Sequence, residues 1–205
     1  MIHAVLIFNT HGKPRLSKFF TPLPPLVQQS LISQIFSLIS DRPAGVCNFL
    51  DAPDLVFPTP GSTIVEKGKR KEGDDDTRVI YRHYATLYFV FVVDGAESEL
   101  GILDLIQVFV ESLDRSFENV CELDLIFHFD EVHHVLSEII QGGLVLETNI
   151  NEISACVQAA SRNRKASAAS SNPLIPSVLA VPGGRGGNRG GSADGARRWL
   201  ASIGV

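Results

Sequence analysis

The sequence is poor in the groups by which an enzyme or a metalloprotein announces itself. It has three cysteines, Cys47, Cys121 and Cys156. An odd number at wide spacing argues against a disulfide framework and for a reducing, cytosolic setting. No two of them have CxxC spacing, so a structural zinc site is not expected. Cys121 is expected to be a buried, structural thiol, since nothing places an activating base beside it. The adjacent His133 and His134 point to different helix faces, and without an HExxH pattern they read as surface or packing residues. Gly12-Lys13 lacks the glycine run and the following Ser/Thr of a phosphate loop. No carboxylate pair, triad or cofactor fingerprint emerges, so neither an enzyme nor a cofactor is expected. No apolar run approaches the roughly 18–20 residues that span a bilayer. The opening Met1–Asn9 lacks the basic region and length of a secretory signal.

What is present is a core. Apolar residues make up 44% of the chain, charged residues 20%, and the net charge is −5, which does not suggest a nucleic-acid partner. The charge is uneven: from Arg162 onward seven basic residues face one acid. An acidic body with a basic tail is the better description.

Met1–Phe8 is apolar on both alternating faces, with Ile2, Ala4, Leu6 and Phe8 on one and Val5 and Ile7 on the other, as in a strand covered twice. Thr10–Lys13 is a turn, and Pro14–Phe20 a returning strand. The prolines of 21–25 precede helical spacing at Val27, Leu31, Ile35 and Leu38/Ile39, which Asp41-Arg-Pro43 stops. Val46–Leu50 reads as a short strand, and Arg78–Tyr84 and Ala85–Val93 as two longer ones. Glu97–Leu113 is a helix whose apolar residues wrap much of its circumference, the first hint of a permanent protein partner. Leu123–Ile140 is largely helical until Gly142-Gly143, and Asn149–Ala160 is a last short helix. Strands joined by short turns, with helices between and after them, give an α+β layout around an antiparallel sheet.

Two segments fall outside this core. Residues 58–77 form a charged loop carrying Lys67–Lys71 and Asp74–Asp76, too polar to repay its ordering entropy and read as a disordered insertion, with a lipid- or import-type role for the basic run as the alternative. Residues 161–205 form a low-complexity Gly/Ser/Arg tail, expected to be disordered. Its Arg185-Gly-Gly and Arg189-Gly-Gly are weak RGG-like signals, and Arg197-Arg-Trp-Leu200 could serve as a short linear motif.

Five long segments carry a resemblance. They are Phe8–Phe19, with His11-Gly-Lys-Pro-Arg-Leu-Ser-Lys18; Ile80–Phe91; Glu97–Glu111, with Glu99-Leu-Gly-Ile-Leu-Asp-Leu-Ile106; Phe117–Phe127, with Asn119-Val-Cys-Glu-Leu-Asp-Leu125; and Gly142–Asn149. With their connections they cover residues 1 to about 160. In this order they resemble the sigma (small) subunits of the heterotetrameric vesicle-coat adaptor complexes, more like complex 3 than complexes 1 or 2. The resemblance implies a longin-like fold for residues 1–160, with about five antiparallel strands flanked by helices. It implies a place against a large delta-type adaptin, beside a large beta-type and a medium mu-type subunit. It implies work at Golgi, endosome and transport-vesicle membranes, reached from the cytosol through partners, in transport towards the vacuole or lysosome. A purely structural subunit, a sigma subunit of another complex and a longin-type SNARE or tethering domain are the rival readings. The tail lacks the heptad helix that the last would need.

Sigma subunits of related complexes bind acidic dileucine signals, Asp/Glu-x-x-x-Leu-Leu/Ile, in cargo tails. By motif position, Arg15 matches the arginine that faces the upstream acid. Leu87, and the small Ala85 that leaves room beside it, match one wall of the leucine pocket. Val110, Val120 and Leu125 match the rest. Asn119 matches the polar edge, able to bond the peptide backbone.

Overall fold

The computed structural model describes residues 1–43, 46–52, 55, 57 and 77–170. The 58–77 insertion before Thr77, the RGG-like segments and Arg197–Leu200 lie outside the described residues. A compact unit spans Met1–Lys165; a second begins at Ala166, of which only the end of one helix is described.

The strands are β1 (Ile2–Asn9), β2 (Pro14–Phe19), β3 (Phe49–Asp51), β4 (Arg78–Tyr84), β5 (Leu87–Val93), β6 (Ile140–Gln141) and β7 (Leu144–Val145). The helices are α1 (Pro25–Ser40), α2 (Glu99–Phe117), α3 (Glu122–Phe127), α4 (Phe129–Ile139) and α5 (Ile150–Ser170). The first five strands form one antiparallel sheet in the order β2-β1-β5-β4-β3, and β6 and β7 form a small hairpin. This is the expected α+β fold of a five-stranded sheet flanked by helices.

The inner strand β1 is buried throughout, as its double apolar face requires. One side of the sheet (Ala4, Leu6, Phe8, Val79, Tyr81, Val90, Val92) packs on Leu31, Ile35 and Ile39 of α1. The other side packs on α2, α3, α4 and the start of α5, through Phe109, Leu113, Leu125, Val135, Ile139 and Ile153 among others. Ile2 departs from the simple alternation. The β1–β5 register shifts between Ile2 and Ala4, and this irregularity moves Ile2 to the same side as Val5 and Ile7.

Several boundaries differ from the pattern. Ala85 is not in a strand but in the two-residue turn that pairs Tyr84 with Leu87. The short third strand starts at Phe49, three residues after Val46. Leu123–Ile140 is split in two at His128, whose non-helical backbone (φ −117°, ψ 36°) ends one piece and begins the next. α5 continues to Ser170, beyond the expected end at Ala160. Its first turns contribute Ile153 and Val157 to the core.

The wrapped helix α2 is covered mostly from within. Ile102, Leu105, Ile106, Phe109 and Leu113 are buried, and Leu103, Val108 and Val110 pack half-buried against the same core. Leu100 alone of its large apolar residues stays open, at 69% exposure. The helix α4 supplies what the strands β4 and β5 do not. Exposed large apolar residues gather at the α3–α4 junction, in Leu123, Ile126, Phe127 and Phe129, along Leu144–Leu146, and on α1 at Leu26, Val27 and Leu38. Among the described residues, no helix is long and apolar enough to cross a membrane.

Candidate functional site

The seven candidate residues come from four places that the fold brings to the same side of the sheet, and each place has a local reason for its shape. Arg15 stands at the start of edge strand β2, where Pro14 is tolerated as the first residue of an edge strand. The turn before it is closed by Asn9, whose Oδ1 accepts from the His11 and Lys13 N–H groups at 3.0 and 2.9 Å. Gly12 has φ +77°, and a Cβ there would sit 2.5 Å from the Phe36 ring, so only glycine fits.

Ala85 and Leu87 belong to the β4–β5 hairpin. Ala85 takes φ +51°, a left-handed conformation where glycine is usual. The tip is tied to α2 through Gln107. Its Oε1 accepts from Tyr84 Oη at 2.5 Å and from Arg82 Nη1 at 3.2 Å, while its Nε2 donates to Glu111 at 2.5 Å. Burial pushes the Tyr84 phenol above its ordinary pKa, against the Arg82 cation and with the help of Glu111, so it remains a donor at neutral pH. The Tyr84, Phe89 and Phe109 rings continue the contact inward edge to face, with centroids 5.7 and 6.0 Å apart.

Val110 is on α2, and Asn119 and Val120 form the link from α2 to α3. Glu118 (φ +52°) and Asn119 (φ +85°) are both left-handed, which reverses the chain within two residues. Asp114 organises this reversal. Its carbonyl accepts from the Glu118 and Asn119 N–H groups, and its Oδ1 from Val120 N–H at 3.1 Å. Cys121 follows as the N-cap of α3, and its N–H donates to Asp124 Oδ2 at 2.9 Å. Hydrogen bonds from the Cys121 side chain and backbone lower the Asp124 pKa. Cys121 is exposed, as are Cys47 and Cys156. The expectation of a buried thiol fails because a helix cap at a chain reversal lies on the surface.

The structure gathers the apolar candidates. Leu87, Leu125, Val110 and Val120 share one hydrophobic cluster. It does not leave them open: Leu125 is 1% exposed and Leu87 6%, while Val110 and Val120 are half-buried. Ala85 and Asn119 are exposed at the edge. Two open clefts of about 670 and 370 Å³ lie elsewhere, one by Asp114, Arg115 and Asn149, the other by His133, His134 and Arg164, and no candidate residue lines either.

Arg15 is joined to the group by a residue that sequence reasoning missed. Glu122, the first residue of α3, accepts on Oε1 from Arg15 Nε at 2.7 Å and Nη2 at 2.5 Å, and from Asn9 Nδ2 at 3.3 Å. No local pattern could reveal a pair 107 residues apart. Asp114 was missed too, although an acid shortly before Glu-Asn at a helix end is a readable cap signal.

The adjacent His133 and His134 diverge. His134 lies 3.9 Å from Glu138 and His133 stands edge-on to Phe129, so the two have separate partners. Burial, then the nearby Lys18 cation, lowers the His133 pKa against the pull of Asp130. No metal-ligating cluster is present among the described residues.

Comparison with known proteins gives a consistent result. The family model of the clathrin adaptor complex small chain matches residues 1–164. The human AP-3 complex subunit sigma-2 is 51% identical over 181 residues, 88% of this chain and 86% of the relative. The AP-3 complex subunit sigma of Schizosaccharomyces pombe is 58% identical over 153 residues, 75% and 82% of the two chains. That of Arabidopsis thaliana is 47% identical over 186 residues, 91% and 99% of the two. A chain from a homology model of the full-length AP-3 complex in a stretched open conformation superposes with a TM-score of 0.59 at 45% identity, over 83% of this chain and 99% of that one. With the family model covering its sheet, its flanking helices and all seven candidate residues, the chain belongs to the clathrin adaptor complex small chain family.

Proposed function

We propose that this chain is the sigma subunit of an AP-3-type adaptor heterotetramer, seated on a delta-type large subunit beside a beta-type and a mu-type chain. It serves vesicle transport from Golgi and endosomes towards the vacuole or lysosome, on the cytosolic face of those membranes. Its role is binding and assembly rather than catalysis. The observation that carries this reading is identity of 47–58% to AP-3 sigma subunits across most of the chain. The exposed apolar residues at the α3–α4 junction suit a chain that is covered in an assembly.

Within that complex the chain helps to recognise acidic dileucine signals. Val110, Val120, Leu87 and Leu125 supply the apolar wall for the two leucines, Arg15 attracts the upstream acid, and Asn119 and Ala85 form the rim. Because Leu87 and Leu125 are buried in the free chain, the peptide must enter by side-chain movement around the half-buried valines. Burying two leucines contributes about 3–6 kcal/mol gross. The ion pair at the edge of the site adds about 0–1 kcal/mol. Association costs several kcal/mol, so micromolar binding, about −8 kcal/mol, is the upper range. Many complexes on one membrane then act together.

The same burial favours a second reading, a structural subunit that stabilises the large chain and reads no cargo. Two experiments separate them. Purification of the tagged chain from its own cells should recover two large subunits and one medium subunit in equal amounts; recovery of a lone monomer would overturn the assembly. In the assembled complex, Val110→Asp should abolish binding of a dileucine peptide, and Arg15→Ala should weaken it modestly. Unchanged affinity in the Val110→Asp complex would leave the structural reading standing.

A further inference from the structure

The cation assigned to the upstream acid already has a carboxylate. Glu122 Oε1 receives both Nε and Nη2 of Arg15 and the amide of Asn9, so one oxygen collects three donors from two other elements. The Arg15 and Glu122 side chains are 15% and 28% exposed, so the contact is shielded yet reaches solvent. Charge-assisted hydrogen bonds of this kind are the strong ones, and a guanidinium fork fixes their direction. Glu122 is also part of the segment that carries the leucine wall, two residues after Val120 and three before Leu125. The acid-binding and leucine-binding parts of the site therefore meet at this residue.

We propose that Glu122 is an internal competitor for Arg15: it holds the guanidinium in the resting chain, a peptide carboxylate must displace it, and it thereby sets how strongly the site distinguishes acidic from neutral signals. The inference rests on the cargo reading given under Proposed function. Its physical basis is a difference. An unpaired, half-buried cation would offer an incoming acid a whole ion pair, whereas a paired one offers only the exchange of one carboxylate for another. The unused carboxylate also repels the newcomer until it swings away into water. Discrimination by charge is then weak, and the leucines supply most of the affinity.

The test compares the intact adaptor complex carrying the wild-type chain with the complex carrying Glu122→Gln, which keeps the shape and the oxygen acceptor and removes the charge. Two synthetic tail peptides are titrated by fluorescence anisotropy, one with Asp-x-x-x-Leu-Leu and one with Asn-x-x-x-Leu-Leu. The wild-type complex should prefer the acidic peptide by about threefold or less. Glu122→Gln should bind the acidic peptide about threefold or more tighter than wild type and leave the neutral one unchanged. Equal tightening of both peptides, or no change in either, would overturn the competitor role while the cargo reading survives. A wild-type preference of about tenfold or more would also overturn it, since that requires a free cation. If the wild-type complex binds neither peptide, the cargo reading falls and Glu122 with it. Should Glu122→Gln fail to assemble, Glu122→Asp, whose shorter arm withdraws from Arg15, should shift the same ratio in the same direction by less.

Discussion

The two sides of the sheet are built differently. On one, the helix α1 supplies three buried residues spaced four apart, Leu31, Ile35 and Ile39, joined by Leu23, Ala52, Leu55 and Phe57 from outside it. On the other, the cover is assembled from α2, α3, α4 and the start of α5. All three non-glycine residues with positive φ, Ala85, Glu118 and Asn119, belong to turns and links of that second side among the described residues. So do the Arg15–Glu122 pair, the other six candidate residues and the exposed apolar residues of the α3–α4 junction. A side covered mainly by one regular helix relies chiefly on periodic packing. A side pieced together from several segments needs chain reversals, and reversals are where unusual backbone and available polar groups occur.

Four substitutions probe this contrast, from the largest expected effect to the smallest. Phe109→Ala removes a fully buried ring that links α2 to Phe89 and should cost about 3–5 kcal/mol in chemical denaturation. If it costs less than Ile35→Ala beneath α1, the second side is not the more tightly packed one. Gly12→Ala should cost about 1–3 kcal/mol, because a Cβ at positive φ would meet the Phe36 ring. It would show that the α1 side also depends on one special backbone position. Asp114→Ala frees the Val120 N–H and should cost about 1 kcal/mol, with faster amide exchange confined to residues 118–121. Exchange that rises evenly over the chain would mean that Asp114 does not organise the link. Ala85→Gly should raise stability by at most about 1 kcal/mol, the relief at φ +51° being offset by added freedom of the unfolded chain. A loss of stability there would place the value of Ala85 in contacts of its methyl group.

The legible parts of the fold were those encoded within a few neighbouring residues. The strands of Met1–Phe8 and Arg78–Val93, the helix after the proline cluster and the apolar helix after Gly95 all stood out as periodic patterns. Boundaries failed where a single residue bends the chain: at Ala85, which joins a turn, and at His128, which divides α3 from α4. The candidate site was legible through whole motifs rather than through chemistry. Leucine and valine at pocket positions have the same composition as ordinary core, and the structure places Leu87 and Leu125 in that core. Cys121 looked buried by its neighbours and is exposed by its place at a cap.

The sequence by itself determined the order of elements, the antiparallel α+β layout, the family and the motif positions of the seven candidate residues. These depend on local propensity, on alternation and on long ordered motifs, all of which are written along the chain. Only the tertiary structure decided that Ile2 changes sides, that α2 packs on β4, β5 and α4, and that a group of exposed apolar residues gathers at the α3–α4 junction. It alone joined Arg15 to Glu122 across 107 residues. Such facts depend on register shifts and on which distant segments meet, and a meeting between distant segments is set by how the whole core packs, not by any pattern near either residue.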